Sequence, residues 1–175
     1  MKYFLFSIAS VAILGIGILT ASVKTDYSHA ADFQTYKTFS WIKVDAGDSL
    51  WTGRIKRAVE QQLSAKGLTM QPEGGDLGVA AMGRTKEEQN YTTFYDGIGG
   101  GWFWRGFGGD TMATTSVQET PVGTLSIDLF DGKTKKLVWR GTSTETLTKN
   151  ADKNTKKLDD AVRDMFKKFP SRSES

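Results

Sequence analysis

The sequence predicts an α+β domain in which a mostly antiparallel sheet of about five or six strands carries two amphipathic helices on one face. Apolar residues alternate with polar ones in several segments, as in half-buried strands. Two other segments, residues 51–63 and 158–169, carry apolar stripes at helical spacing. Since each helix has one apolar face, both are expected to cover the same side of the sheet. The other side is expected to present Thr, Ser, Lys and Glu to water.

Two strands are predicted ahead of the first helix. Apolar and charged residues alternate over residues 23–27, and a second strand covers residues 37–42 with Phe39 and Trp41 on one face. The first helix is expected to begin at Asp48 or Ser49, either of which can cap it, and to end before Gly67. Its stripe consists of Trp51, Ile55, Ala58, Val59 and Leu63.

A loop and a short strand are predicted to follow the first helix. Proline and glycine within residues 68–76 indicate the loop. Leu77, Val79 and Ala81 then predict a strand that fades into the polar stretch 84–90.

The C-terminal half is predicted to form further strands and a second helix. Pro121 interrupts the β-rich block that begins at residue 114, which indicates an edge position or a bulge. Residues 125–130 alternate most clearly, and a hairpin turn at 131–134 leads to a returning strand over 137–148. A helix is expected over 154–168, ended by Pro170. The residues expected to be buried are Trp41, Ile55, Val59, Leu125, Ile127, Leu129, Val162 and Phe166.

The N-terminal segment has the pattern of a secretory signal peptide. Lys2 precedes an apolar run over residues 4–19, and small residues follow it. We expect residues 1–21 to be removed, by cleavage after Ala21 or Ser22. An uncleaved anchor is the alternative, although the run is shorter than the roughly 20 residues that a spanning helix needs. The chain is thus predicted to be exported, to the periplasm or outer membrane, or to the inner membrane if it stays anchored.

The composition excludes several classes of chemistry. The 175 residues include no cysteine, so disulfides, thiolate zinc sites and cysteine nucleophiles are excluded. The single histidine excludes His-rich metal sites. Lys and Arg total 23 against 20 Asp and Glu, a balance too even for electrostatic binding of nucleic acid. We therefore expect one domain over 22–170 and a disordered tail over 171–175, with no metal, cofactor or nucleic-acid partner.

A glycine-rich segment, residues 97–109, is the main candidate for a functional surface. It lacks a phosphate-binding motif, since neither G-x-G-x-x-G nor Gly-Lys-Ser/Thr occurs in it. Large side chains stand on this glycine backbone, and they could meet a membrane or a partner, or fold back over the sheet edge. The candidate contact residues are Trp102, Phe103, Trp104, Arg105 and Phe107.

Candidate catalytic groups are few. His29 has Asp26 and Asp32 nearby in sequence, but no nucleophile motif accompanies them. Asp128 and Asp131 flank a strand end, and the aspartates of the last helix alternate with Lys and Arg as on a solvated face. The lysines at 133, 135 and 136 could contact an anionic lipid or polymer, but they are interpreted as a solvated turn that protects the sheet edge from pairing.

Several segments resemble a bacterial family, the domain of unknown function numbered 4136. They are ADFQTYKTFSW (31–41), residues 54–59 with 65–68, GTLSIDLFD (123–131), KTKKLVWRG (133–141) and MFKKFP (165–170). The resemblance covers residues 23–170 and implies an exported envelope protein, often a lipoprotein, with no established activity. This chain departs from that pattern because it lacks the cysteine that lipidation needs.

The expected function is that of a non-enzymatic envelope domain that binds another envelope component, either a protein or the membrane surface. The alternative is a binder of a small ligand or peptidoglycan fragment that uses the aromatic segment as a lid. A hydrolase is a more distant alternative, because it would need two titratable groups that converge in a cleft.

Overall fold

The computed structural model describes residues 22–95 and 113–170, and the side chains of residues 22–87 and 120–170. The predicted signal peptide (1–21), the aromatic segment (97–109) and the tail (171–175) lie outside these residues. The helices are α1 (Ser49–Ala65) and α2 (Ala151–Phe166). The strands are β1 (Ser22–Tyr27), β2 (Thr38–Asp45), β3 (Thr69–Met70), β4 (Leu77–Tyr95), β5 (Ala113–Asp131) and β6 (Leu137–Thr146).

The described strands form one mixed sheet with the order β1-β6-β5-β4-β2-β3. The neighbours from β1 to β4 pair in antiparallel fashion, whereas β2 lies parallel to β4 and β3. The parallel pairing follows from α1, because a helical crossover returns the chain to the same end of the sheet before β4 begins. The predicted α+β class is confirmed, with a sheet that is mostly antiparallel.

Local signals fix both ends of α1. The Asp48 carboxylate caps its N-terminus by accepting a hydrogen bond from the backbone N–H of Trp51 at 2.8 Å. At the other end Gly67 adopts a φ of 85°, which an L side chain rarely tolerates. That turn lets the Leu68 N–H donate to the Leu63 carbonyl at 3.0 Å, and both leucines are buried.

A single core lies between the helices and the sheet. Seven of the eight residues expected to be buried have less than a tenth of their surface exposed. The exception is Trp41, which is half-buried at the margin because its indole N–H donates to Glu60 at 2.7 Å and Lys56 lies over its ring. The full core also contains Phe39, Ala58, Leu63, Leu68, Leu77, Val79, Ala81, Val138, Trp139, Met165 and Phe169.

Three boundaries differ from the predictions. β4 does not fade after Met82 but continues to Tyr95, because β5 pairs with its polar half as well. A short strand, β3, forms within the predicted loop. α2 begins at Ala151 rather than near Asn154, because Asn150 caps it by accepting from the Lys153 N–H at 2.9 Å.

Pro121 does not interrupt β5, since the strand runs through it and it pairs with Glu87, but it does occupy an edge position on the side of β6. Pairing of β5 with β6 begins at Val122, so Pro121 lies just beyond the last paired residue. Its missing N–H therefore costs no ladder hydrogen bond on that side, while its carbonyl still accepts from the Leu147 N–H at 2.7 Å.

The open face of the sheet is less polar than predicted. Ile42, Met82 and Leu137 are exposed there, and Ile42 covers Gly78 so closely that a Cβ at Gly78 would lie 2.5 Å from its Cδ1. The polar part of this face centres on Asp128 and Arg140, which face each other on β5 and β6. Two hydrogen bonds of 2.6 and 2.7 Å join the guanidinium to both carboxylate oxygens.

Candidate functional site

A cavity of about 190 Å³ lies between the first halves of the two helices and the sheet beneath them. Trp51 and Ile55 of α1 form one wall, and Asn154, Leu158 and Ala161 of α2 form the other. We call it the helix-end cavity.

Small residues on the sheet leave the space open. One row of paired residues across the cavity floor is Gly83, Leu125 and Ser143, and the next is Thr85, Gly123 and Glu145. A Cβ on Gly123 would lie 3.1 to 3.2 Å from side-chain carbons of Leu147, which also lines the cavity. Larger side chains at the two glycines would therefore fill the floor.

Two polar side chains of β6 line the cavity side by side. Ser143 and Glu145 are two residues apart on one strand, so both belong to its helix-covered face. Only 3% of the Ser143 surface is exposed, and its hydroxyl has no hydrogen-bond partner among the described residues. Glu145 is half-buried, and burial raises the pKa of its carboxyl, although Lys157 opposes the shift.

Asn154 fixes the side wall of the cavity. Its Oδ1 accepts from the Thr148 backbone N–H at 2.8 Å and from the Thr148 hydroxyl at 3.0 Å. Its Nδ2 donates to the Thr148 carbonyl at 2.7 Å. These bonds tie the first turn of α2 to the end of β6, so the wall is held to the floor.

Charged residues surround the mouth. Asp48 and Arg84 both line it and are exposed. The Arg84 guanidinium donates to the Asp45 carboxylate at 2.8 Å, which raises the pKa of Arg84 and lowers the pKa of Asp45. Because Asp45 neutralises Arg84, Asp48 and Glu145 leave the cavity with an acidic balance.

A second feature is a two-stranded ribbon that β4 and β5 form beyond the rest of the sheet. Residues 87–95 of β4 pair with residues 113–121 of β5. Pairing of β4 with β2 ends at Met82, and pairing of β5 with β6 does not extend past Val122. Nine residue pairs at about 3.4 Å per residue extend roughly 27 Å. In the described part of the chain no third strand pairs with either edge of the ribbon, and at its base the Pro121 carbonyl accepts from the Leu147 N–H.

The ribbon leads to the segment that contains the contact residues expected from the sequence. Trp102, Phe103, Trp104, Arg105 and Phe107 lie outside the described residues, between the two strands of the ribbon in sequence. The structure therefore places the strands that flank this segment and not the segment itself.

The candidate catalytic residues are not brought together. His29 is exposed and contacts the ring of Tyr27, with 4.6 Å between ring centroids. Asp26 and Asp32 accept backbone hydrogen bonds from Tyr27 and Gln34 rather than from His29. In α2 the aspartates form the expected kind of ion pair, such as Asp164 with Lys167 at 2.7 Å and Asp160 with Arg163 at 2.7 Å.

Ser143 and Glu145 were not singled out from the sequence. In the sequence they are two polar residues of a threonine-rich strand segment, residues 143–148, with nothing that marks them as functional. Alternation counted from the buried Trp139 would have placed residues 141, 143 and 145 on the helix-covered face. The alternation in β6 thus predicts which face these two residues occupy. It does not predict the cavity, because the space depends on Gly83 and Gly123 of two other strands.

Among residues 22–95 and 113–170, no group of three or more His, Asp or Glu is placed to hold a metal ion. Neither α1 nor α2 is long and apolar enough to cross a membrane.

Solved structures share this fold at low sequence identity. PelC from Paraburkholderia phytofirmans, solved as a dodecamer, is 14% identical, with a TM-score of 0.53 over 87% of this chain and 99% of PelC. A PDZ domain protein from Parabacteroides distasonis is 17% identical, with a TM-score of 0.56 over 86% of this chain and 36% of that protein. At such identities the likeness shows the fold alone.

Sequence comparison identifies the family. No curated protein matches the chain significantly. The family model described as "Domain of unknown function (DUF4136)" matches residues 23–171, which include every described strand and helix apart from the first residue of β1. The expected resemblance is confirmed, and the chain belongs to the DUF4136 family.

Proposed function

We propose that this protein is a non-catalytic domain of the cell envelope that binds another envelope component through the β4–β5 ribbon and the aromatic segment between its strands. The observation that carries this proposal is the ribbon itself, which extends roughly 27 Å beyond the sheet and pairs with no third strand in the described residues. The described core residues of β4 and β5 all lie outside the ribbon, on Leu77–Ala81 and Leu125–Leu129.

Unpaired strand edges are suited to binding. The N–H and C=O groups along each edge can pair with an extended segment of another chain. Aromatic residues at 102–104 and 107 would add apolar contact area, and Arg105 would add a charge that interacts with acidic groups or phosphates. Long unpaired strands are normally an aggregation risk, so a dedicated partner gives a physical reason for keeping them.

Export is the second part of the proposal. It is supported by the positive residue and apolar run at the N-terminus, which are typical of a signal peptide. The absence of cysteine excludes lipid attachment at a processed N-terminal cysteine. Association with the outer membrane would therefore depend on the proposed partner or on the membrane surface.

A non-catalytic role is supported by the chemistry of the cavity. Glu145 lines its floor, whereas Asp48 at the mouth uses a carboxylate oxygen to cap α1. A hydrolase needs a nucleophile with its base, or a water-activating pair of acids, within hydrogen-bond reach. The Ser143 hydroxyl makes no hydrogen bond to Glu145, and Asp48 is already engaged at the end of α1.

The experiment replaces Trp102, Trp104 and Phe107 with serine in the full chain. We expect in-cell crosslinks to the partner to disappear while the melting temperature changes little. The matched control replaces Leu50, Met70 and Met82, three exposed apolar residues of the described body, with serine and should retain the crosslinks. Sedimentation with lipid vesicles separates a membrane surface from a protein partner.

The opposite pattern would contradict the proposal. If the aromatic residues pack on the domain, each buried ring stabilises it by roughly 1.5–3 kcal/mol, and the triple variant loses several kcal/mol. A large loss of stability with crosslinks and vesicle binding intact would assign these rings to packing.

A further inference from the structure

The helix-end cavity holds a buried hydroxyl that the protein does not satisfy. Ser143 is 3% exposed, and its Oγ has no partner among the described residues. A buried hydroxyl without a hydrogen bond destabilises the folded state, whereas alanine at this position would avoid that cost. The hydroxyl therefore points to a molecule that enters the cavity and supplies the missing bond.

The neighbouring carboxylate is also available. No hydrogen bond or ion pair to the Glu145 carboxylate is found among the described residues, although Lys157 lies near enough to affect it. The Lys157 ammonium instead donates to the Thr146 carbonyl at 2.6 Å. Asp160 and Asp164 of α2 also lie near enough to affect the Glu145 carboxyl, but each is paired with a cation, Arg163 and Lys167 respectively.

The charge around the cavity favours a cation over an anion. Glu145 on the floor and Asp48 at the mouth are acidic, and Arg84 is already bonded to Asp45. An anionic ligand would be repelled by both acids, whereas an ammonium group can donate to the Glu145 carboxylate.

The volume of the cavity and the distance between its two polar residues limit the class of ligand further. A volume of about 190 Å³ accommodates a molecule with a single ring. Trp51, Ile55, Leu125 and Leu158 supply apolar surface for such a ring. Residues two apart on a strand are separated by roughly 7 Å, so one ring can span the distance between Ser143 and Glu145.

We propose that the helix-end cavity binds a small amphipathic amine whose apolar, ring-sized body separates an ammonium group from a hydroxyl or carbonyl group. The ammonium group donates to Glu145, and the second polar group bonds the Ser143 hydroxyl. This site is independent of the β4–β5 ribbon, so its failure and the failure of the proposed envelope contact are separate results.

Four matched probes test the proposal on the full chain without residues 1–21. Tyramine carries both polar groups, phenethylamine lacks the hydroxyl, 4-ethylphenol lacks the amine, and 3-(4-hydroxyphenyl)propionate replaces the amine with a carboxylate. Binding is followed by chemical-shift changes of cavity residues. We expect tyramine to bind about tenfold more tightly than phenethylamine or 4-ethylphenol, because each of these lacks one hydrogen bond that tyramine can make. The carboxylate probe should bind most weakly, because Glu145 repels it.

Variants of the two polar side chains test which group of the probe each side chain binds. Glu145→Gln should reduce the preference for tyramine over 4-ethylphenol, and Ser143→Ala should reduce its preference over phenethylamine. Ser143→Ala should also raise the melting temperature of the free protein, a result that a purely structural serine would not give. Ala161→Leu should fill the cavity and abolish binding of all probes. Glu87→Gln on the exposed part of β4 and Ser126→Ala on the open face are the controls for binding and should leave the affinities of all four probes unchanged.

Three results would overturn the proposal. The first is an absence of cavity shifts with tyramine at millimolar concentration. The second is binding of the carboxylate probe as tightly as tyramine, which would mean that the charge preference is wrong. The third is a lower melting temperature for Ser143→Ala, which would show that the hydroxyl is already bonded in the free protein.

Discussion

Asp131 joins two parts of the chain that are distant in sequence. Its Oδ1 accepts from the backbone N–H groups of Lys133 and Thr134 at 3.0 and 2.6 Å and so closes the turn between β5 and β6. Its Oδ2 accepts from the Tyr36 hydroxyl at 2.8 Å. These hydrogen bonds, with that of Thr134 the largest contributor, lower the pKa of Asp131 to about 2. Burial and the bond to Asp131 raise the pKa of Tyr36 to about 12.

The first prediction follows from this depressed pKa. Because the folded-state pKa of Asp131 lies below the ordinary value of 3.8, its contribution to stability is complete above pH 4 and is lost as the pH falls toward 2. Asp131→Asn should therefore lower the urea midpoint at neutral pH and flatten its dependence on pH between 4 and 2. The control is Glu73→Gln, an exposed loop residue, which should keep the wild-type slope. A slope unchanged in Asp131→Asn would show that the turn does not depend on the charge.

At the residue scale the sequence reveals local bonds and misses distant ones. The turn at 131–134 is predictable because Asp and Gly stand together between two alternating strands. The bond from Tyr36 is not, because 95 positions separate the partners. For the same reason the pocket-facing role of Ser143 is hidden, since glycines of β4 and β5 create the space above it.

At the scale of elements, β5 is one of the central strands that build the core. Leu125, Ile127 and Leu129 point toward the helices, and Ile127 and Leu129 are fully buried. β5 also pairs with both β4 and β6, so its inward residues lie at the centre of the sheet.

The second prediction measures this dependence. Ile127→Ala removes buried methyl groups and leaves a cavity that the rigid neighbours fill only in part, so it should cost about 2–5 kcal/mol of unfolding free energy. The urea midpoint measures the loss, and Thr124→Ala on the exposed part of the same strand should leave it nearly unchanged. An unaltered midpoint in Ile127→Ala would contradict the orientation of β5.

Elements with strong local signals were predictable, and those without them were not. α1 was predicted to within a residue because a cap, an apolar stripe and a terminal glycine agree. The far half of β4 was missed because polar residues 84–90 show no apolar alternation. Its strand structure depends on pairing with β5, and alternation appears only where one face of a strand is buried.

At the scale of the whole molecule, the sequence predicts the class of fold but not the order of the strands. Two apolar helix stripes require one shared sheet face, and the structure has that arrangement. The parallel placement of β2 beside β4 depends on how α1 packs, which is a tertiary effect. The exposed Ile42, Met82 and Leu137 also went unforeseen, because alternation does not say what lies outside a sheet.

The third prediction concerns export of the whole chain. We expect the mature protein to begin at Ser22 or Val23 and to be recovered from the periplasm or the outer membrane, because the apolar run over residues 4–19 is typical of a cleaved signal. N-terminal sequencing of the fractionated protein tests this. Met1 intact on protein in the membrane fraction would support the anchor instead, and Met1 intact on cytoplasmic protein would rule out export.

The pairing of β1 with β6 gives the domain a fixed order of completion. Ser22 pairs with Thr144, so the first described strand forms hydrogen bonds with the last strand of the domain in sequence. A chain that crosses a membrane from its N-terminus delivers β1 first and β6 almost last. Until β6 arrives, β1 has no neighbour to bond, and α2, which covers the core, has not been delivered. If the chain is exported from its N-terminus, as we propose, the pairing of β1 with β6 and the covering of the core by α2 can form only after nearly all of the chain has crossed.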